Sequence, residues 1–167
     1  MRYSIMRNYL VILLLGTFSL CFGQSKSSML ASINDIRTSG CSCGDKKMKP
    51  VAPLQWHESL EHSASNYASY LRANERFSHY SENGHNIGDR VDAVGYNWQV
   101  VGENIAEGQV NFEQAMEDWM KSPSHCEMIM NGNVTEMGLA RSGHYWVQHF
   151  ASPMKKQNVK NDIKSKN

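Results

Sequence analysis

The stretch Val100-Val101-Gly102-Glu103-Asn104-Ile105-Ala106 is an apolar run that is interrupted by a single carboxylate. Its length and composition predict a β-strand over 99–106. A charge inside such a strand is costly unless it has partners, so Glu103 is either paired within the fold or part of a functional site. Gly102 has no side chain and would let another segment or a ligand approach the strand closely.

Helices are predicted on both sides of this strand. Apolar residues at helical spacing predict helices over 25–37, 54–74 and 89–94. Asn111 is expected to cap a fourth helix, and Pro123 both ends that helix and fits the first position of a fifth.

Two further strands, over 137–140 and 145–151, are predicted around a turn at Ser142 and Gly143. The segment 46–53 contains two prolines and is predicted to be a loop. Helices would then flank a small sheet that is built partly from the C-terminal hairpin. This pattern is typical of an α+β fold with three layers.

The ends of the chain differ from its middle. Residues 1–23 combine two arginines, an apolar run and small residues near the end, which is typical of a cleaved signal peptide. The apolar run is too short to cross a membrane comfortably, so we expect no transmembrane segment after cleavage. One domain is predicted over 24–153 and a basic, disordered tail over 154–167. We therefore expect a secreted protein, either extracellular or periplasmic.

Charge excludes one class of partner. From Gln24 to Ser152 there are 10 Lys and Arg against 15 Asp and Glu, although the whole chain has a net charge of +1. An acidic domain argues against nucleic-acid binding. We expect a monomer.

Four polar segments carry the candidate site residues His79, Glu103, His125 and Glu136. Two imidazoles and two carboxylates suit a divalent metal site, zinc being one possibility, or an acid/base site. If Pro123 is the first helical residue, His125 is the third, where the helix dipole favours neutral imidazole.

The other histidines have no predicted role in this site. His57 and His62 are five residues apart, so they do not share a helix face and are predicted to lie on the surface. His85, His144 and His149 are expected to be exposed or structural, and the face on which His149 lies depends on the register of its strand.

The domain keeps three cysteines, Cys41, Cys43 and Cys126. Export favours one disulfide, and because Cys41 and Cys43 are too close for an easy bridge, one of them is expected to pair with Cys126. The alternative is a metal site, because the Cys-x-Cys pair and the adjacent His125 and Cys126 offer soft ligands.

Taken together, these segments resemble the bacterial, SCP-like extracellular branch of the CAP superfamily, which includes cysteine-rich secretory proteins, antigen 5 proteins and pathogenesis-related proteins. The resemblance runs in family order from about residue 29 to 153. The matching segments are Phe77-Ser78-His79, Gly88-Asp89-Arg90, Gly95-Tyr96, Val101-Gly102-Glu103-Asn104-Ile105-Ala106, Trp119, Ser122-Pro123-Ser124-His125-Cys126, Thr135-Glu136-Met137-Gly138 and Tyr145-Trp146-Val147-Gln148.

The resemblance implies an α-β-α sandwich with a mainly antiparallel sheet and a central cleft. It also implies that His79, Glu103 and His125 belong to the family's cleft-lining His/Glu tetrad. Ser122 occupies the usual position of the fourth member, so Glu136 is our candidate to replace it. The resemblance further favours a Cys43–Cys126 disulfide, with Cys41 free.

Three functions are compatible with this sequence. The first, which we favour, is a metal-dependent binding module for a lipid, glycan or protein at the cell surface. The second is a peptidase-like hydrolase in which Glu103 acts as general base and a metal activates water. No nucleophile is evident, so we lean away from an enzyme. The third is a structural domain whose polar residues form a buried network.

Overall fold

A four-stranded sheet lies between two layers of helices in the computed structural model, which describes residues 25–155. The predicted signal peptide and most of the predicted tail therefore lie outside the described residues. In chain order the elements are α1 (Lys26–Ser39), β1 (Cys41–Cys43), β2 (Lys46–Met48), β3 (Gln55–Trp56), α2 (Glu58–Ala73), α3 (Ile87–Ala93), β4 (Trp98–Glu107), α4 (Phe112–Lys121), α5 (Pro123–Ile129), β5 (Glu136–Ser142) and β6 (Tyr145–Pro153).

The strands of the main sheet are arranged in the order β3-β5-β6-β4. β3 runs parallel to β5, whereas the β5–β6 and β6–β4 pairs are antiparallel. β4, which carries Glu103, is an edge strand of this sheet. The predicted α+β fold with three layers and a mainly antiparallel sheet is confirmed.

The two faces of the sheet contact different helices because successive strand residues point to opposite sides. On one face, Ile105 and Val147 pack with Tyr67 and other residues of α2. On the opposite face, Met137 and Phe150 belong to a larger cluster with residues of α1, α4 and α5. Within residues 25–155, every helix is too short or too polar to span a bilayer.

The first turn of α2 lies directly on β5 at Gly138. A Cβ atom at this position would overlap the backbone of Leu60 and Glu61. Only glycine allows the helix and the strand to approach this closely. Gly138 therefore sets the separation between α2 and the sheet.

Two predictions about secondary structure were wrong. The helix predicted from residue 54 begins at Glu58, because Gln55 and His57 instead donate backbone hydrogen bonds to Thr135 and Met137, beside β5. In the predicted loop 46–53, Lys46–Met48 pairs with Cys41–Cys43 as a short hairpin. Strands of two or three residues are too short to give a periodic pattern.

The predicted change of helix at Pro123 is confirmed, because α4 ends at Lys121 and α5 begins at Pro123. The side chain of Asn111 accepts a hydrogen bond from the backbone of Gln114 at the start of α4. Pro123 occupies the first turn of α5. Cys126, within α5, forms a disulfide with Cys43 of β1, the pair that the family resemblance favoured. Cys41 is free.

Besides the disulfide, the side chain of Arg37 on α1 holds segments of the fold together, and it is fully buried. Its guanidinium donates hydrogen bonds of 2.5–3.3 Å to four backbone carbonyls, and burial lowers its pKa to about 10. Ala52 lies in the loop after β2, and the other acceptors, Ile129, Asn131 and Val134, lie between the last residue of α5 and the start of β5. One side chain thus ties α1 to the loop after β2 and to the segment that joins α5 to β5.

Candidate functional site

Glu103 is the centre of the candidate site. Its side chain is only 2% exposed, and both carboxylate oxygens have partners. Oε1 accepts a hydrogen bond from Nδ1 of His79 at 2.7 Å. Oε2 accepts from Nη2 of Arg90 at 2.7 Å and from Nε2 of His149 at 2.9 Å. The charge that interrupts the apolar run of β4 is therefore paired.

The partners of Glu103 keep it ionised. Burial raises the pKa of this carboxyl, but the hydrogen bonds from His149 and His79 and the charge of Arg90 outweigh burial and lower it to about 2. A general base works best with a pKa near the operating pH and needs a free oxygen. Glu103 has neither property, so its geometry suits positioning of its neighbours.

The segment that carries His79 is held by two side chains. Tyr67 on α2 donates a hydrogen bond of 2.6 Å to the carbonyl of Ser78, and Arg90 on α3 donates one of 3.2 Å to the carbonyl of His79. The guanidinium of Arg90 also stacks on the ring of Tyr67, 3.5 Å from its centroid. Burial is the main reason that the pKa of Tyr67 is raised to about 12, so its hydroxyl stays a donor.

His79 faces solvent on one side. Its side chain is 49% exposed, and its Nδ1–H is directed at Glu103. This hydrogen bond leaves Nε2 as the nitrogen that can accept a ligand. Histidines that bind metals commonly donate their other ring proton to a carboxylate, which fixes the tautomer and makes the ligand nitrogen more basic.

His149 and Arg90 belong to the candidate site through their hydrogen bonds to Glu103, and sequence reasoning did not assign them to it. His149 is fully buried on β6, directly opposite Glu103 on β4. Burial, opposed by Glu103, lowers the pKa of His149, so the imidazole is neutral and donates through Nε2–H. Knowledge of the β4–β6 register would have placed His149 beside Glu103. Arg90 lies in Gly88-Asp89-Arg90, one of the segments that carry the family resemblance, but the sequence did not indicate what this residue does.

His125 lies at the third position of α5, as predicted. Its carbonyl accepts a hydrogen bond from the amide of Asn104, which links α5 to β4. Its pKa is lowered, first by burial and then by the nearby charge of His79.

A groove beside His125 runs along β4 and has a volume of about 330 Å³. Its lining combines apolar and aromatic side chains with polar ones. The residues that line it are Phe77, Ile105, Ala106, Glu107, Gln109, Asp118, Trp119, Ser122 and His125. The groove connects the α5 side of the candidate site with the segment before His79.

Glu136 lies elsewhere. It sits on β5, opposite Ala151 of β6, whereas Glu103 on β4 is opposite His149. Two strand spacings, about 10 Å, and an offset of two residues along the strands therefore separate the backbones of the two glutamates. The carboxylate of Glu136 accepts a hydrogen bond of 2.5 Å from Tyr96, whose ring contacts His57. The structure does not bring Glu136 to the other three predicted site residues, and it places His57 at the start of α2, packed on Tyr96.

The candidate site fits a metal only in part. Among residues 25–155, the one group of three or more His, Cys, Asp or Glu ligand atoms within 4.8 Å of one another is Cys41, Cys43 and Cys126. Arg90 binds Glu103 and would repel a cation at that carboxylate. The imidazoles of His79 and His125 remain as donors, with Glu103 orienting the first of them.

Comparison with known proteins agrees with this fold. Residues 30–150 match the family model "CAP: Cysteine-rich secretory protein family". The chain is 32% identical over 108 residues to the uncharacterized protein YkwD of Bacillus subtilis (strain 168), a match that covers 64% of this chain. It spans 42% of the length of that relative.

Solved structures show the same fold. An extracellular protein containing a SCP domain from Bacillus anthracis str. Ames superposes with a TM-score of 0.67 at 23% identity, over 75% of this chain and 39% of that one. An outer surface protein from Borrelia burgdorferi superposes with a TM-score of 0.66 at 20% identity, over 77% of this chain and 92% of that one. By their names, these neighbours are extracellular or surface proteins. The match of the family model to most of the described residues shows that the chain belongs to the CAP, or cysteine-rich secretory protein, family.

Proposed function

We propose that this chain is a ligand-binding domain that is exported from the cytoplasm and acts at the cell surface or in the periplasm. Its ligand, a lipid, glycan or protein, would bind the groove along β4 that His125 and Phe77 line, next to His79. A divalent cation such as Zn²⁺ would bind the two imidazoles and take part in ligand binding. Glu103 would orient His79 and would not itself bind the metal.

The observation that carries this proposal is the environment of His79. A buried, ionised carboxylate accepts its Nδ1–H at 2.7 Å, while half of the side chain remains exposed. Because Glu103 occupies Nδ1, the half-exposed ring can offer Nε2 to a ligand. His125, whose pKa is lowered mainly by burial, supplies a neutral imidazole as the second ligand.

The surface around His79 supports ligand binding. Phe77 is 50% exposed and Tyr80 is 58% exposed, so two large aromatic residues flank the imidazole in sequence. Phe77 also lines the groove that contains His125. Exposed aromatic residues beside polar groups are typical of binding sites for amphipathic ligands.

The hydrolase alternative receives less support. Glu103 would have to accept a proton from water, yet its pKa is lowered to about 2 and its oxygens are bound by His79, Arg90 and His149. The purely structural alternative predicts that the same network stabilises the fold without binding a cation. It is separated from our proposal by the following titration.

The test is calorimetric titration of the mature domain with zinc, with the Cys43–Cys126 disulfide intact. We expect one zinc ion per chain and a higher melting temperature when zinc is present. His79→Ala should weaken zinc binding by at least about 10-fold, because it removes a ligand. His62→Ala is the matched control, since His62 is an exposed histidine on α2, and it should bind zinc like the wild type.

Two results would contradict the proposal. Wild-type protein that gives neither heat nor a change in melting temperature would favour the structural alternative. Equal zinc affinity in His79→Ala and wild type would place the metal elsewhere. Once zinc binding is established, lipid vesicles and glycan arrays should be compared with and without zinc, since a cleft ligand should bind more weakly to His79→Ala.

A further inference from the structure

The three cysteines of the domain converge on one point, and none of them belongs to the Glu103 network. Sγ of Cys41 lies 3.8 Å from Sγ of Cys126 and 4.0 Å from Sγ of Cys43. Cys43 and Cys126 form the disulfide, and Cys41 remains a thiol. A single disulfide does not require a third sulfur at this distance.

These distances are those of a zinc–thiolate site. In a tetrahedral site with Zn–S bonds of about 2.3 Å, neighbouring sulfurs are about 3.8 Å apart. The two distances from Cys41 are close to this value. The third edge of the triangle would reach it once the bond between Cys43 and Cys126 is cleaved.

The surroundings of the cluster also suit a metal site. Cys43 and Cys126 are buried and pack with Met130, whereas Cys41 is partly exposed. Cys41 and Cys43 are separated by one residue of β1, so their side chains leave the strand on the same side. A metal held here would have an apolar wall behind it and a path to solvent beside Cys41.

We propose that the reduced protein binds one Zn²⁺ ion through Cys41, Cys43 and Cys126, with the fourth position open to water, and that the disulfide and the metal exclude each other. A dithiol reductant supplies two electrons and two protons, cleaves the Cys43–Cys126 bond and becomes a disulfide itself. Zn²⁺ then displaces the protons of the three thiols. A disulfide oxidant reverses the process: it accepts two electrons from the thiolates of Cys43 and Cys126 and is itself reduced to two thiols, the Cys43–Cys126 bond forms again, and Zn²⁺ is released as Cys41 takes up a proton.

This site shares no ligand with the proposed cleft metal, although Cys126 directly follows His125 on α5, and the test separates the two. Zinc affinity is measured in the His79→Ala background by competition with a chromophoric chelator, with and without a phosphine reductant. A phosphine is used because dithiols bind zinc themselves. Cobalt is substituted in parallel, since thiolate ligands give cobalt a charge-transfer absorption that imidazoles do not.

The matched control is Cys41→Ser in the same background, which retains the disulfide but lacks the third thiol. We expect reduced His79→Ala to bind one zinc ion, and the oxidised form to bind none at this site. Cys41→Ser should bind zinc about 100-fold more weakly after reduction, because a third of the thiolate ligands is lost. Its cobalt spectrum should also lose intensity.

Reduction could unfold the domain, and the experiment still decides the question in that event. Zinc should then restore the circular dichroism spectrum of reduced His79→Ala but not that of the Cys41→Ser variant, because metal binding would supply the folding free energy. The proposal is overturned if Cys41→Ser has no effect on zinc affinity or on refolding. It is also overturned if cobalt gives no thiolate charge transfer in the reduced protein.

Discussion

The domain contains two largely buried arginines that are held in different ways. Arg37 on α1 donates only to backbone carbonyls, which are those of Ala52, Ile129, Asn131 and Val134. Arg90 on α3 donates to the carboxylate of Glu103 and to the carbonyls of His79 and His85. The first guanidinium fastens loops together, and the second helps to assemble the candidate site.

The difference shows how a buried charge can serve two purposes in one small domain. Carbonyls carry no net charge, so the cost of burying Arg37 is offset by hydrogen bonds alone and its pKa falls. Arg90 meets an ionised partner, and that partner also binds two histidines. Changes at Arg37 should therefore act on stability, and changes around Arg90 should act on stability, pH dependence and metal binding together.

The largest expected effect is that of Arg37→Met. Four carbonyls would lose their donor in a buried region, which should lower the free energy of unfolding by about 3–5 kcal/mol. Urea denaturation at pH 7 measures this loss. Zinc affinity of the folded variant should equal that of the wild type. A loss below about 1 kcal/mol would show that water or a shifted loop replaces the guanidinium.

The next effect in size is that of Glu103→Gln. A pKa lowered from 4.5 to about 2 corresponds to about 3 kcal/mol of stability at neutral pH. Because the folded-state pKa is the lower one, this contribution is complete above about pH 4.5 and is lost as the pH falls toward 2. Urea denaturation at pH 7 and pH 3 should show that the difference between wild type and variant shrinks with acidification. A difference that does not change with pH would contradict the ionised state of Glu103.

A third prediction concerns the stability of the fold at pH values above those at which Glu103 is protonated. Burial lowers the pKa of His149, so the unfolded state binds its proton at a higher pH than the folded state does. Stability should therefore begin to fall as the pH drops below about 6.5, the usual pKa of histidine. The Arg37→Met variant should show the same pH profile as the wild type, offset by a constant. His149→Gln should flatten the profile between pH 7 and 5, and an unchanged slope would contradict the prediction.

The smallest expected effect is that of Tyr67→Phe. The variant keeps the ring under Arg90 but loses the hydrogen bond to the carbonyl of Ser78, at a cost of about 1 kcal/mol. Zinc binding should weaken modestly because the segment before His79 is less constrained. Tyr70→Phe is the control, because the Tyr70 hydroxyl accepts from the backbone of Glu82, three residues after His79, whereas the Tyr67 hydroxyl holds the residue directly before it. Equal zinc affinities in the two variants would show that Tyr67 does not position His79.

Residues that break a local pattern were the ones that the sequence identified. Glu103 interrupts an apolar run, and His79 and Pro123 mark the ends of helical patterns, so each could be found without knowledge of the fold. Glu136 was selected on the family resemblance, as a replacement for the acidic residue missing at Ser122, and its position two strands from Glu103 does not support that assignment.

Residues whose role depends on contacts between distant segments were missed. His149 joins Glu103 only through the β4–β6 register, and Arg37 and Arg90 have the spacing of ordinary surface charges on their helices. β3 has two residues and is defined by its hydrogen bonds to the segment around β5, which no local periodicity encodes. Tertiary pairing decides such elements, whereas propensity decides the long helices.

The close contact at Gly138 fixes the start of α2, and α2 in turn positions the segment that carries His79. Its first turn rests on β5, and its far end leads into the segment that carries His79. A helix of 16 residues is about 24 Å long, so a tilt of about 5° around that contact would displace the far end by about 2 Å. That displacement is enough to separate His79 from Glu103. A side chain added at position 138 would therefore shift the segment that carries His79, which follows the other end of α2.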